Sequence, residues 1–232
     1  MGLVAARRLK IMTKQRLRIV FVKGPQLKYI SHLDLALAWE RALRRAGVPL
    51  AYSQGHTPHA RMQIASGLPL GYISSAEMID VMLTEPMTPT EFSNQVAPAL
   101  PQGLKVKSVE EVPLKSPSLQ SALREAEYRA VIETSLPAAE LAQRVASLLA
   151  ANHFEQQRTR KGREESFDLR PLVKEVKLAA ADQDKGQAVL TMRLSAGQRG
   201  NVRPDAVLTA LGLGDAYAVV ERTQLAFEFD KD

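Results

Sequence analysis

The sequence predicts an α+β protein built as two tandem ferredoxin-like (βαββαβ) domains. Three observations carry that expectation. Strand and helix patterns alternate as β-α-β-β-α-β over the first half, a fainter version of the same rhythm follows over the second, and 232 residues suit two domains of ordinary size. The expected division is a basic N-terminal leader (1–13), a first domain (14–113), a linker (114–122) around Lys115-Ser116-Pro117-Ser118, and a second domain (123–232).

Arg16 to Lys23 opens the first domain as a strand, with Leu17, Ile19 and Phe21 alternating with Arg18, Val20 and Val22 before Gly24-Pro25 ends it. Ser31 to Ala46 reads as a helix. Ser31 caps it, and Asp34 stands in the third position of a capping box. Leu35, Trp39, Ala42 and Ala46 form its apolar stripe, Glu40 is one turn before Arg44, and Gly47 with Pro49 stops it. The stripe places Trp39 in the core. Leu50 to Ser53, Arg61 to Ala65 and Ala76 to Leu83 read as strands, Thr88 to Leu100 as a helix with Pro89 at its first position and Glu91 closing a capping box, and Leu104 to Val112 as a strand. In the second half the expected strands are Glu127–Thr134, Asn152–Arg160, Val173–Ala180, Ala188–Leu194 and Tyr217–Phe229. The expected helices there are Pro137–Ala151 and Pro204–Leu211. Asp168-Leu169-Arg170-Pro171 and Arg203-Pro204-Asp205 both look like helix starts, Pro suiting the first turn and Asp the positive end of the dipole.

The chain has no cysteine. That excludes a disulfide framework, cysteine-ligated zinc and an iron–sulfur cluster held by this chain's own thiolates. No apolar run is long enough to span a bilayer, and the basic leader lacks the apolar core of a signal peptide, so a cytoplasmic protein is expected. A formal charge of +6 permits an anionic partner, RNA included, while 5% aromatic content argues against a sheet of base-stacking rings.

Two polar clusters stand out as candidate binding residues: Tyr29, Ser31, His32 and Asp34 at the start of the first helix, and Gln54, Gly55, His59 and Arg61, with Ser53 and His56, in the loop that follows Leu50–Ser53. In a βαββαβ unit these two places could face each other and gather His32, His56 and His59. Three imidazoles can hold a metal, and one histidine near neutrality beside Arg61 can serve as an acid–base group in ribonuclease chemistry. Simple capping by Ser31 and Asp34 and a structured surface loop account for the same residues; no metal or cofactor is assigned. Arg41, Arg44 and Arg45 give the first helix a basic side, and Arg158, Arg160, Lys161 and Arg163 form a denser basic turn around Gly162. Either could meet phosphates, and a solvated face explains both as well. Gly67 to Gly71 lacks the Gly-Lys-Ser/Thr ending of a phosphate-binding loop.

The ordered set Tyr29-Ile30-Ser31-His32-Leu33-Asp34, Trp39 to Gly47, Tyr52-Ser53-Gln54-Gly55, Pro58-His59 with Arg61, Asp168-Leu169-Arg170-Pro171 and Gly200-Asn201-Val202-Arg203-Pro204 resembles a radical-SAM-linked family of uncharacterised bacterial proteins. His32 and His59 match its pattern, whereas His56 stands where an aromatic is more usual. The resemblance implies a stand-alone member whose partner is a separate radical S-adenosylmethionine protein. With that partner, the expected function is a non-catalytic accessory or substrate-binding role, with RNA as a candidate substrate. A metal-independent endoribonuclease using His32 or His59 is the alternative, and a purely structural protein-interaction partner is another. The tandem fold also resembles that of CRISPR repeat-processing endoribonucleases, an analogy of fold alone.

Overall fold

The computed structural model of the chain describes residues 13–54, 56–160 and 162–229. The leader, apart from Thr13, lies outside the described residues, as do Gly55 and Lys161. The architecture is mixed α+β, dominated by one large, mostly antiparallel sheet. Its first half runs β1 (Gln15–Lys23), α1 (His32–Arg45), β2 (Met62–Ile64), β3 (Ile73–Leu83), α2 (Pro89–Val96) and β4 (Leu104–Val112). Its second half runs α3 (Leu119–Ala122), β5 (Leu123–Glu133), α4 (Ala138–Ala150), β6 (Glu155–Arg160), β7 (Arg163–Asp168), β8 (Val173–Asp182), β9 (Gln187–Ser195), α5 (Pro204–Ala210) and β10 (Ala218–Phe227).

The main sheet has the order β4-β1-β3-β10-β5-β9-β8, with β2 beside β3 and the β6–β7 hairpin separate. Both halves therefore lie in one continuous sheet, a feature the residue pattern does not signal. The reason is the shortness of β2. It pairs only with Ile79, Asp80 and Val81, so the Ile73–Ser74 end of β3 keeps an open edge. The last strand fills that edge: β10 pairs in parallel with β3, Glu221 opposite Ile73 and Arg222 opposite Ser74, and antiparallel with β5 on its other side.

Local differences from the sequence expectation have simple causes. Leu50 to Ser53 forms only isolated bridges, Leu50 to Leu83 and Tyr52 to Ala60, because the neighbouring edge is taken by β2. Asp168-Leu169-Arg170-Pro171 starts no α-helix; Arg170–Leu172 is a single 3-10 turn leading straight into β8. Arg163–Asp168 is a strand carrying few apolar residues, because it pairs only with β6.

Helix caps follow the sequence closely. The Ser31 hydroxyl accepts the Asp34 N–H at 3.1 Å and donates to its carboxylate at 2.7 Å, so Ser31 caps α1 but the reciprocal half of the expected capping box is not formed. At α2 the capping box is complete: Glu91 N–H donates to Thr88 Oγ1 at 3.2 Å, and Thr88 N–H to Glu91 Oε2 at 2.8 Å. Beneath the helices, Leu17, Ile19 and Phe21 of β1 and Ile79, Val81 and Leu83 of β3 pack against Leu35, Trp39 and Leu43 of α1 and Phe92 and Val96 of α2. Trp39 is fully buried, its ring edge-on to Phe21 at 5.0 Å. A second core joins β5, β8 and β9 to Leu141, Val145 and Leu148 of α4 and Val207 and Leu208 of α5. Leu68 and Tyr72, which precede β3, belong to this second core.

On the opposite face Arg16 and Arg18 are buried around Asp80. Arg18 Nε donates to Asp80 Oδ1 at 2.9 Å and Arg16 Nε to Oδ2 at 3.0 Å. Arg16 Nη2 also donates to the Pro117 carbonyl at 2.9 Å, and the Arg18 guanidinium lies 4.5 Å from the Phe229 ring centre. Removing the shared carboxylate leaves two buried cations without a counter-charge. Asp80→Ala is therefore expected to lose about 3–5 kcal/mol of stability in urea denaturation. Arg44→Ala, which breaks only an exposed 4.0 Å pair with Glu40, should change it by less than about 0.5 kcal/mol. Equal effects at the two sites would refute the buried-triad account.

Candidate functional site: a basic groove beside the sheet seam

The two polar clusters expected to meet do not. His32 lies in the first turn of α1, its ring about 3.9 Å from where a Cβ on Gly67 would stand, and Gly71 N–H donates to the Lys28 carbonyl at 2.8 Å. That is the Ile73 end of β3. The loop carrying Gln54, His56 and His59 sits at the Leu83 end: Ala51 N–H donates to the Met82 carbonyl, and Met82 N–H to the Arg61 carbonyl. At about 3.3 Å per residue the clusters are some 30 Å apart along β3. His32 does not meet His56 or His59, and among the described residues no group of three metal-ligating side chains occurs. The loop itself is held by Ser53, whose hydroxyl accepts the His59 N–H at 3.0 Å, and Arg61 Nη1 donates to Thr13 Oγ1 at 2.8 Å. Gln54, His56, His59 and Arg61 are exposed.

The basic candidates also separate. Arg41 is exposed, Arg44 faces Glu40, and Arg45 is tied to the Ala99 carbonyl across the helix–helix contact. Arg158 of β6 pairs with Glu165 at 3.1 Å while its guanidinium covers the Phe167 ring at 4.8 Å. Arg160 and Arg163 fall in β6 and β7, with side chains outside the described ones, as is Lys161 altogether.

A buried polar cluster forms beneath the start of α1 where β10 meets β3. Glu77 is wholly buried and Arg222 is 2% exposed. Arg222 Nη1 donates to both Glu77 oxygens at 3.0 and 3.2 Å, and Nη2 to the Gly67 carbonyl at 2.9 Å. Ser74 Oγ donates to the Arg222 carbonyl at 3.0 Å. Lys23 donates to the Tyr72 and Lys28 carbonyls at 3.2 and 3.3 Å; burial holds its ammonium below the usual lysine range, with Glu77 opposing. Tyr72 extends the cluster outward, its hydroxyl donating to Asp205 Oδ1 at 2.6 Å. Burial first, and then Asp205, raise that phenol well above its ordinary value.

Asp205 borders a groove between the β6–β7 hairpin and the 197–203 loop. Two adjoining hollows, about 420 and 620 Å³, share Arg158, Phe167 and Asn201 in their walls. Arg203 and Gln156 complete one, Arg199 and Gln198 the other. Gly197 shapes the loop: its φ is +94°, and a Cβ there would stand 2.5 Å from the Leu123 carbonyl oxygen. Gln156 fixes the hairpin by donating to the Ala206 carbonyl at 2.9 Å. The two acids of the groove are already engaged, Asp205 by Tyr72 and Asp168 by the N–H groups of Phe154 and Arg170 at 2.9 and 3.1 Å and by His153 at 2.8 Å. Three guanidiniums thus border the groove, Arg158 paired with Glu165 at 3.1 Å, Arg199 with Glu228 at 3.2 Å, and Arg203, while its carboxylates are held in place by hydrogen-bond donors, an arrangement that can receive an anionic ligand. The helix start at Gly200–Pro204 is visible in the sequence and the turn at Asp168 is visible as a motif, though not as the helix it suggests; their meeting across the groove, and the part of Phe167 and Arg199 in it, depend on tertiary folding.

A family model described as an uncharacterized protein conserved in bacteria, DUF2344, matches residues 16–204. No curated protein matches the chain. Among solved structures, a chain of a Cbf5-Nop10-Gar1 complex is similar with a TM-score of 0.50 and 12% identity, over 90% of this chain and 48% of that one. This chain therefore spans about half of that relative's length, and the likeness is one of fold. A protein described as a glycine cleavage system transcriptional repressor aligns over 94% of this chain and 98% of its own at 13% identity, but its TM-score of 0.24 is too low to carry an argument. Among the described residues no helix is long and apolar enough to cross a membrane.

The Asp168 carboxyl is held below its usual 3.8, first by the Phe154 N–H and also by His153. A depressed carboxylate stabilises the fold above its unfolded value and loses that contribution as pH falls through the lower folded one. Asp168→Asn should therefore melt at a lower temperature than wild type at neutral pH, with the gap closing below about pH 4. A gap that does not change with pH would assign the loss to shape rather than charge.

Proposed function

We propose, for a chain that belongs to the DUF2344 family of uncharacterised proteins conserved in bacteria, that it is an accessory, substrate-binding subunit of a separate radical S-adenosylmethionine enzyme, holding RNA in the groove between the β6–β7 hairpin and the 197–203 loop. The observation that carries the binding half of this reading is the groove's lining: Arg158, Arg199 and Arg203 with the amides of Gln198 and Asn201 and the ring of Phe167. Guanidiniums suit phosphates, amides suit base edges, and a ring capped by an arginine suits stacking. The partner half rests on the ordered motif set from Tyr29 to Pro204. It is supported by the lack of cysteine, since cluster chemistry then needs thiolates from another polypeptide.

The reading of the halves as two ferredoxin-like domains, 14–113 and 123–232 joined by 114–122, is supported by strand order. In the first half β4, β1, β3 and β2 lie in sequence, fourth-first-third-second. In the second, with the β6–β7 hairpin set aside as an insertion, β10, β5, β9 and β8 give the same order. The cytoplasm is the compartment this reading implies.

The endoribonuclease alternative keeps one histidine at a time, since His32 and His59 stand at opposite ends of β3. RNA cleavage by the purified chain that disappears in His32→Ala or His59→Ala would replace the accessory reading.

Binding of a labelled single-stranded RNA, followed by anisotropy between about 50 and 200 mM salt, tests the groove. Affinity should fall steeply with salt. Arg158→Ala and Arg203→Ala should each weaken binding and reduce the salt slope by about 0.7 for each phosphate that is no longer neutralised. No RNA retention at the low-salt end, together with no complex on co-expression with the radical protein, would overturn the proposal.

A further inference from the structure

A second surface, separate from the groove, carries an inference of its own. Tyr29, Leu33, Leu37 and Leu70 are 72%, 73%, 47% and 61% exposed. Leu33 and Leu37 are one helical turn apart on α1 and so share a face. Tyr29 precedes the cap of the same helix, with the Lys28 ammonium 4.7 Å from its ring centre. Leu70 lies on the turn that Gly71 ties back to Lys28. One exposed leucine is ordinary; three with a tyrosine around one helix start make an unpartnered apolar patch. Misfit does not explain it, because the inner face of α1 is seated through Leu35, Trp39 and Leu43.

The charges bordering the patch say what covers it. Lys28 stands at one end, Arg41 and Arg44 at the other, and Arg44 meets Glu40 only at 4.0 Å. The acids nearby are Asp34, which holds the Ser31 cap, and Glu40, which faces Arg44, so Lys28 and Arg41 are the cations left to meet a partner. A second copy of the chain is a poor occupant. In a two-fold contact the patch meets itself, and because both of its ends are cationic, either helix direction sets positive charge against positive charge. The net charge of +6 adds to that repulsion. The geometry points to a docking surface for an acidic amphipathic helix of another protein, its leucines on Leu33, Leu37 and Leu70 and its carboxylates toward Lys28 and Arg41.

The probe is a synthetic helical peptide with leucines along one face and glutamates beside them, and its twin with lysines in place of the glutamates. The glutamate peptide should bind the full chain, more weakly as salt rises, and shift the resonances of Tyr29, Leu33, Leu37 and Leu70. Leu33→Ser/Leu37→Ser should weaken it at least tenfold, and Arg41→Glu should weaken it as well. Leu33→Gln/Leu37→Gln, a milder change in the helix, must reproduce the loss with an unaltered circular dichroism spectrum. Unchanged RNA affinity in these variants keeps the patch distinct from the groove. Equal binding of the lysine peptide, undiminished binding to both double variants, no saturation by about 1 mM peptide, or a wild-type dimer that the double variants dissolve would each overturn the inference.

Discussion

The parallel seam between β10 and β3 is the constraint on which the rest of the structure depends. Its register pairs Glu221 with Ile73 and Arg222 with Ser74, a short stretch of ladder for joining the two halves of a chain. Side chains reinforce it. Arg222 reaches from the last strand to Glu77 and to the Gly67 carbonyl, and Ser74 returns a bond to the Arg222 carbonyl. Two buried charges facing each other are weak support for stability, because desolvation offsets most of the attraction. They are strong support for register. A slip of one residue along β10 carries Arg222 to the other face of the sheet and strands Glu77 in the core. The alternative pairing is thus penalised far more than the native one is rewarded.

The Asp80 triad acts in the same way from the other face. Arg16 and Arg18 lie two apart on β1 and share one carboxylate, while Arg16 also takes the carbonyl of Pro117 in the segment joining the halves, and Arg18 lies against Phe229 beyond β10. Both ends of the second half are thereby registered on the first strand of the first. Two sets of buried charges, on opposite faces, define how the halves meet.

Those residues also mark where the sequence ceases to be legible. Local signals are plain in it: the Ser31 cap, the Thr88–Glu91 capping box, the stripe that buries Trp39, and the mixed α+β class itself. Each is set by neighbours within one or two helical turns. Arg16 and Arg18, alternating with Leu17 and Ile19, look in sequence like the wet face of a half-buried strand. They are buried because residues roughly a hundred and two hundred positions away cover them, and no local pattern encodes that. Arg222, within Val220-Glu221-Arg222-Thr223, hides for the same reason. The histidine clusters mislead differently. Their residue types are suggestive, but α1 separates them, so that His32 at its start and the loop beyond its end lie at opposite ends of β3. The β7 strand escapes a reading by pattern because its sole partner is β6, so it needs little of the apolar alternation that marks a strand in a core.

The groove inherits its shape from the seam through Tyr72. The carbonyl of Tyr72 receives Lys23 at the base of α1, its ring belongs to the second core, and its hydroxyl ends on Asp205 in the groove wall. Asp205 keeps its charge but is fixed in position by the phenol. Asp168, on the hairpin side, is held by two backbone N–H groups and His153. Asp205 and Asp168 are thus fixed in position by donors from neighbouring elements. Walls fixed in this way would lose little conformational freedom on binding the anionic ligand proposed for them, leaving more of the guanidinium–phosphate attraction as affinity. The same framework leaves the outer face of α1 free of any structural duty. A helix seated by Trp39 below can keep leucines above without strain, which is the physical condition for a surface reserved for another chain.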